Sequence, residues 1–324
     1  MDVVAFCAES RVVVVVGKGG VGKTTIAAAV ARMAAEAGLR VLLVDLEGRS
    51  GICAAFGRPG NLGYEQGTLF TAPQGSGWVE GRRLTPDDAL LEYLADRGLQ
   101  RVSRRLVSSG VLDVVATAIP GIRDVLVLGK VKQLERAGVA DLIVVDAPAT
   151  GHAMTFLTSA SGLLEAARGG PVRSQAAEVV ELLTDPARCR VLLVTLPEEL
   201  PVSETIEAAY LVEDRAGVHL GPVVVNGWEE APAALAVSAG TAAEAAGVEL
   251  TNAQLDALEA ARSFRLRRAA LVTEQVDRLR QELPLPQLHT PRLEAAGIGP
   301  VELSQLSSAL AAEVGLLVPE VDGV

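Results

Sequence analysis

The chain has 324 residues, of which 49% are hydrophobic, and a formal net charge of -11. That acidity argues against nucleic acid or an anionic membrane surface as the main partner. No run reaches the roughly 18 uninterrupted apolar residues of a membrane span, and Cys7, Cys53 and Cys189 lie too far apart for a metal knuckle or a disulfide framework.

Residues 1–16 are apolar, but Asp2 and Glu9 interrupt them and no basic segment precedes them, so they read as strand and not as a signal peptide. A cytoplasmic protein is expected. The valine run Val12–Val16 then meets "GKGGVGKTT", which fits G-x-x-x-x-G-K-[ST] over Gly17–Thr24. Strand before and helix after is the context this motif requires. The backbone of Gly17, Gly19, Gly20, Val21 and Gly22 is expected to bend so that its N–H groups converge on phosphate oxygens, with the helix start adding its positive dipole end. Lys23 is expected to bridge the β- and γ-phosphates of ATP. Thr24 would ligate Mg²⁺, and Thr25 would reach the α-phosphate. Only four lysines occur in the chain, Lys18, Lys23, Lys130 and Lys132. Two of them stand in this one loop, where a compact point charge suits phosphate.

The helical pattern Thr24–Ala37 stops at Gly38, before the strand Arg40–Asp45. Asp45 closes that strand, where side chains face the γ-phosphate and metal. Residues Arg58–Gly81, rich in Gly, Pro and Gln, read as loop; Thr85–Ser108, with Pro86–Arg97 at its start, and Ile122–Ala137 read as helix. Residues 58–138 are therefore expected to form an inserted helical subdomain, joined by 161–185. The strand Leu142–Val145 ends at Asp146, placed to hold Mg²⁺ through water. Apolar runs at Val191–Leu196 and Val223–Val225 lack polar alternation and read as strands buried on both faces. Helices are expected at Ser203–Asp214, within 266–279 and at Val301–Val314, and the stretch "PLPQLHTPRLEAAGIGP" before the last reads as loop. The alternation predicts an α/β fold, a doubly wound and mostly parallel sheet. There is one phosphate loop and no internal repeat, so residues 1–324 are expected to form a single ATPase domain.

The loop form G-K-G-G-x-G-K-[ST]-[ST] resembles that of the deviant Walker-type ATPases, a group that includes MinD, ParA, the nitrogenase iron protein and the ArsA-type ATPases. Within that group the chain is most similar to the ArsA and tail-anchored-protein-targeting family. "APATGH" from Ala147 to His152 resembles its switch II; "PGIRDVLVLGKVKQLE", "VTLPEELPVSET" and "VVVN" resemble flanking segments, and "PLPQLHTPRLEAAGIG" resembles its base-walling loop, placed within 284–324. The resemblance implies that Lys18 reaches the nucleotide of a facing subunit, that Glu47 of Asp45-x-Glu47 positions the attacking water, and that Asn226 pairs with the adenine edge. It makes Thr150, Gly151 and His152 switch residues. It implies a homodimer, or a heterodimer with a sister ATPase as in the short actinobacterial paired ArsA-type proteins, and an unidentified protein or transporter client. Glu47 stands where aspartate is usual, which leaves a low-turnover regulatory subunit as the alternative. Arsenite efflux is disfavoured by the lack of a cysteine triad. A ParA- or MinD-like positioning role and a ligase of the dethiobiotin or cobyrinate type are also disfavoured.

Overall fold

The computed structural model describes residues 1–48, 51–73, 75–96 and 121–318. Its strands are β1 (Val12–Gly17), β2 (Arg40–Asp45), β3 (Gly67–Thr71), β4 (Trp78–Arg83), β5 (Leu142–Ala149), β6 (Cys189–Thr195), β7 (His219–Leu220), β8 (Val223–Trp228) and β9 (Gln287–Pro291). They form one sheet in the order β3-β4-β2-β5-β1-β6-β8-β9, with β7 beside β6. Every pairing is parallel except β3 with β4. The doubly wound, mostly parallel sheet read from the valine and leucine runs is present.

Both faces are covered, and the strands' period of two divides each between two cores. Val12, Val14 and Val16 enter one core, and Val15 enters the other. On the first face lie α5 (Ile122–Arg136), α6 (Thr150–Ala166), α7 (Gly170–Thr184) and α8 (Glu199–Leu211); on the second lie α1 (Val3–Ala8), α2 (Lys23–Glu36) and α11 (Pro300–Leu316). Helix α2 buries Ile26 to Ala31 and Met33 to Ala35, nearly its whole circumference, because it is sandwiched between sheet and α11. Its small alanines let both neighbours approach. The remaining α-helices among the described residues are α3 (Ile52–Ala55), α4 (Pro86–Asp96), α9 (Ala239–Ala246) and the long α10 (Asn252–Glu282).

Three readings need correction. Residues 1–16 are not one strand: Asp2 caps a helix by accepting from the Ala5 N–H at 2.7 Å, and β1 starts only at Val12. Arg58–Gly81 is not loop, since β3 and most of β4 lie in it and extend the main sheet. Gly67, Gly77 and Gly81 hid them, yet Gly81 is tolerated because Leu62 and Leu69 fill the space where its side chain would be. The tail "loop" contains β9, paired in parallel with β8. Its prolines are harmless because β9 ends the sheet order and Pro291 is its last residue. Of the helical segment read at Thr85–Ser108, Pro86–Asp96 is helix, Thr85 precedes it, and 97–108 lie outside the described residues.

Lys130 and Lys132 are buried pins, not surface charges. Lys130 pairs with Glu92 and joins α5 to α4, and Lys132 Nζ lies 2.6 Å from Glu178 on α7. Core packing dominates stability. Leu193→Ala, at a fully buried β6 position, is expected to cost about 3 kcal/mol, read as a lower urea midpoint at unchanged slope.

Candidate active site

The loop after β1 and the start of α2 stand at the carboxyl end of the central strand, with β5 on one side and β6 on the other. Gly20 and Gly22 adopt φ of 90° and 91°, the left-handed region closed to most side chains. At Gly22 a side chain would also meet the Asn226 amide nitrogen at 2.4 Å. Lys23 is buried, and its ammonium bends back to donate to the Lys18 carbonyl at 3.2 Å, across the mouth of the loop. Burial pulls its pKa below the usual lysine value, while Asp146 and Glu47 act in the other direction. The lysine is thus held over the loop's concave side, where a phosphate would meet it.

Two aspartates close the site. Asp45 and Asp146 are register partners on the adjacent parallel strands β2 and β5, so both carboxylates emerge at the same level beside the loop. Asp45 Oδ1 accepts from the backbone N–H groups of Glu47 and Gly48 at 3.0 and 2.9 Å, which fixes the chain as it leaves β2. Asp146 Oδ2 accepts from the Thr24 hydroxyl at 2.7 Å. Its other oxygen is buried with no hydrogen-bond partner among the described residues. Burial pushes the Asp146 pKa up to about 6; the Thr24 hydrogen bond pulls it back, and the Asp45 charge raises it further. An orphaned carboxylate oxygen beside a threonine hydroxyl is a donor set that suits a hard divalent cation.

Glu47 is exposed at the end of this turn, near enough to Lys23 and Asp146 to act on both electrostatically. Thr150, Gly151 and His152 form the first turn of α6, directly after β5. His152 faces Asp124 in the first turn of α5 closely enough to oppose the rise that burial gives that carboxyl. The Gly121–Asp124 and Thr150–His152 segments therefore lie close in space. Thr25 follows Thr24 in the first turn of α2.

Two residues behave differently from a simple reading of the motifs. Lys18 turns away from its own loop: its ammonium pairs with Glu204 on α8 at 2.6 Å. Asn226 stands in the second half of β8, but its amide is already engaged, donating to the Val21 carbonyl at 2.8 Å and accepting from the Thr290 hydroxyl at 2.9 Å. Glu204 lay unassigned inside "PEELPVSET", and Thr290 lay in a stretch read as loop, so neither drew attention in the sequence. Beyond Asn226, a groove of about 510 Å³ opens at the same end of the sheet, lined by Leu196, Pro197, Gly227, Leu271 and Arg292 among others.

Residues 12–62 match the CobQ/CobB/MinD/ParA nucleotide binding domain. The chain is 36% identical over 332 residues to ATPase BagA of Mycobacterium tuberculosis, covering 93% of this chain and 92% of the relative. It is 29% identical over 227 residues to an arsenical pump-driving ATPase of Escherichia coli, covering 67% of this chain and 35% of that protein. An arsenical pump-driving ATPase of Acidiphilium multivorum is 28% identical over 227 residues, again across 67% and 35% of the two chains. A full-length match to an ATPase, on a site built as a phosphate loop flanked by two register-matched aspartates, leaves one assignment: the chain belongs to the ArsA-type family of P-loop ATPases.

Proposed function

We propose that the chain is a switch ATPase whose ATP binding and hydrolysis open and close a dimer, and so bind or release a protein or transport partner. The observation that supports this reading most directly is the division of labour between the loop's two lysines. Lys23 bends over its own loop, whereas Lys18 leaves it and is held by Glu204. A pair with side chains 28% and 35% exposed is worth less than about 1 kcal/mol, so a facing nucleotide can displace it.

In this reading the loop amides and Lys23 bind the ATP phosphates, and the base occupies the groove beyond Gly227, walled by the Arg292 segment. Thr24 and Asp146, the latter through water, are the residues that would hold Mg²⁺, which supplies charge neutralisation on the β- and γ-phosphate oxygens when bound. Glu47 orients the attacking water. Loss of the γ-phosphate removes the contacts that Glu47 and the Thr150–His152 turn make through it, and the two segments shift together. A ligand shifts such an equilibrium only through contacts that differ between states, and Lys18, Glu47 and residues 146–152 are those contacts.

Glu47→Gln is expected to lower turnover by about tenfold to a hundredfold with ATP affinity retained. Affinity purification of that variant with ATP should hold the closed state and its client together. Unchanged turnover would remove Glu47 from the mechanism. One feature favours a second reading, a regulatory subunit with little turnover: Glu47 is exposed, while Asp45 is buried. Steady-state ATPase activity of this chain alone and mixed with a sister ATPase separates the two. A client that is a protein or a transporter fits better than arsenite, because Cys7, Cys53 and Cys189 are each buried and free, with burial raising all three thiol pKa values.

A further inference from the structure

Thr290 is the last polar residue before the end of β9, fully buried, and far from the phosphate loop in sequence. Its register partner on β8 is Asn226. The hydroxyl of Thr290 donates to Asn226 Oδ1 at 2.9 Å, and Asn226 Nδ2 donates to the Val21 carbonyl at 2.8 Å. We infer that Thr290 is a positioning residue for ATP binding: it anchors the Asn226 amide in place, and that amide fixes a peptide plane of the phosphate loop.

The geometry leaves little freedom. A trans peptide sets its C=O and N–H antiparallel, so a Val21 carbonyl drawn toward Asn226 turns the Gly22 N–H to the opposite side, away from Asn226. That is the arrangement an anion-binding loop requires, with amides inward and carbonyls outward. An inverted Asn226 amide would set its oxygen against the Val21 oxygen, acceptor against acceptor. The Val21 carbonyl, which can only accept, thus sets the orientation, and the buried Thr290 hydroxyl on the neighbouring strand satisfies the Oδ1 left over and holds the amide in place. Gly22 completes the device, since any side chain there would strike Asn226 Nδ2. A bulge after Asn226, where Gly227 takes φ of 74°, shifts the register just beyond the brace before pairing resumes at Trp228 with Pro291.

This inference rests on the reading that the loop binds ATP phosphates, and the test separates the two. Nucleotide affinity is measured with fluorescent ADP and GDP analogues, and the KM for ATP and the kcat are measured alongside, for wild type, Thr290→Val and Thr290→Ser. One net hydrogen bond sets the scale. Thr290→Val should bind ADP and GDP more weakly by a common factor of about three to ten, raise KM likewise and leave kcat nearly unchanged. Thr290→Ser should match wild type. A merely structural role would lower the folded, active fraction and leave KM alone. Wild-type KM in Thr290→Val, an equal defect in Thr290→Ser, or a loss confined to ADP with GDP unaffected would each overturn the assignment. The last of these would mean that Thr290 acts through the base. If Thr290→Val fails to fold, Thr290→Ala carries the same comparison. Absence of nucleotide binding by the wild type would instead defeat the underlying reading.

Discussion

Lys18→Ala is expected to lower ATP turnover by about a thousandfold, the scale of a charge supplied in trans to a phosphoryl-transfer transition state, with ATP affinity within about threefold of wild type. The expectation follows from where the side chain goes. Lys18 departs at the entrance of the loop, and its partner in the single chain is a carboxylate on α8 and no part of its own phosphate cradle. A residue that neutralised its own nucleotide would lower affinity and turnover together when removed. One that completes a neighbour's site lowers turnover alone. The decisive measurement mixes Lys18→Ala chains with Lys23→Ala chains. Each is inactive alone, but a mixed dimer has one site with an intact Lys23 and a partner's intact Lys18. At one-to-one mixing half the dimers are mixed and half their sites are competent, so about a quarter of wild-type activity should return. A mixture that stays inactive would place the action of Lys18 within its own chain.

The parts of this site legible in the sequence are those built from local chain geometry. A glycine-rich turn between a valine run and a helix has one structural solution, and an aspartate closing a buried parallel strand must emerge beside it. Asp45 and Asp146 were readable for that reason, and their register match follows from β2 and β5 being neighbours. What stayed hidden depends on pairings between distant segments. β3, β4 and β9 carry glycines, charges or prolines that erase the strand pattern, and they are strands because a neighbouring strand accepts them. Thr290 was invisible because its meaning comes from Asn226, across the β8–β9 pair. Lys130 and Lys132 carried no assignment in the sequence, and their partners Glu92 and Glu178 make them structural ties between helices.

Asp146→Asn is expected to abolish ATP turnover and, in metal-free buffer, to make the protein more stable. In the ligand-free fold Asp146 is a buried carboxylate with one oxygen unpaired among the described residues and another carboxylate, Asp45, beside it. Its pKa stands at about 6 against an ordinary 3.8. The native state therefore holds a proton that the unfolded chain has released across that interval, and stability falls as pH rises through it. At about 1.4 kcal/mol per pH unit, the interval corresponds to a cost on the order of 3 kcal/mol at neutral pH. An asparagine keeps the acceptor for the Thr24 hydroxyl and presents an amide where the unpaired oxygen stood, so it carries no such cost. Urea titrations in EDTA should give Asp146→Asn a higher midpoint than wild type at pH 7.5. The gap should close on acidification and vanish below about pH 4, where the wild-type carboxyl is neutral in both states. Turnover should fall by a hundredfold or more, because the same oxygen is the one that would hold Mg²⁺ through water. Equal midpoints at neutral pH would mean that the Asp146 charge is solvated in the native state. The site would then lack the electrostatic strain that a bound cation is expected to relieve.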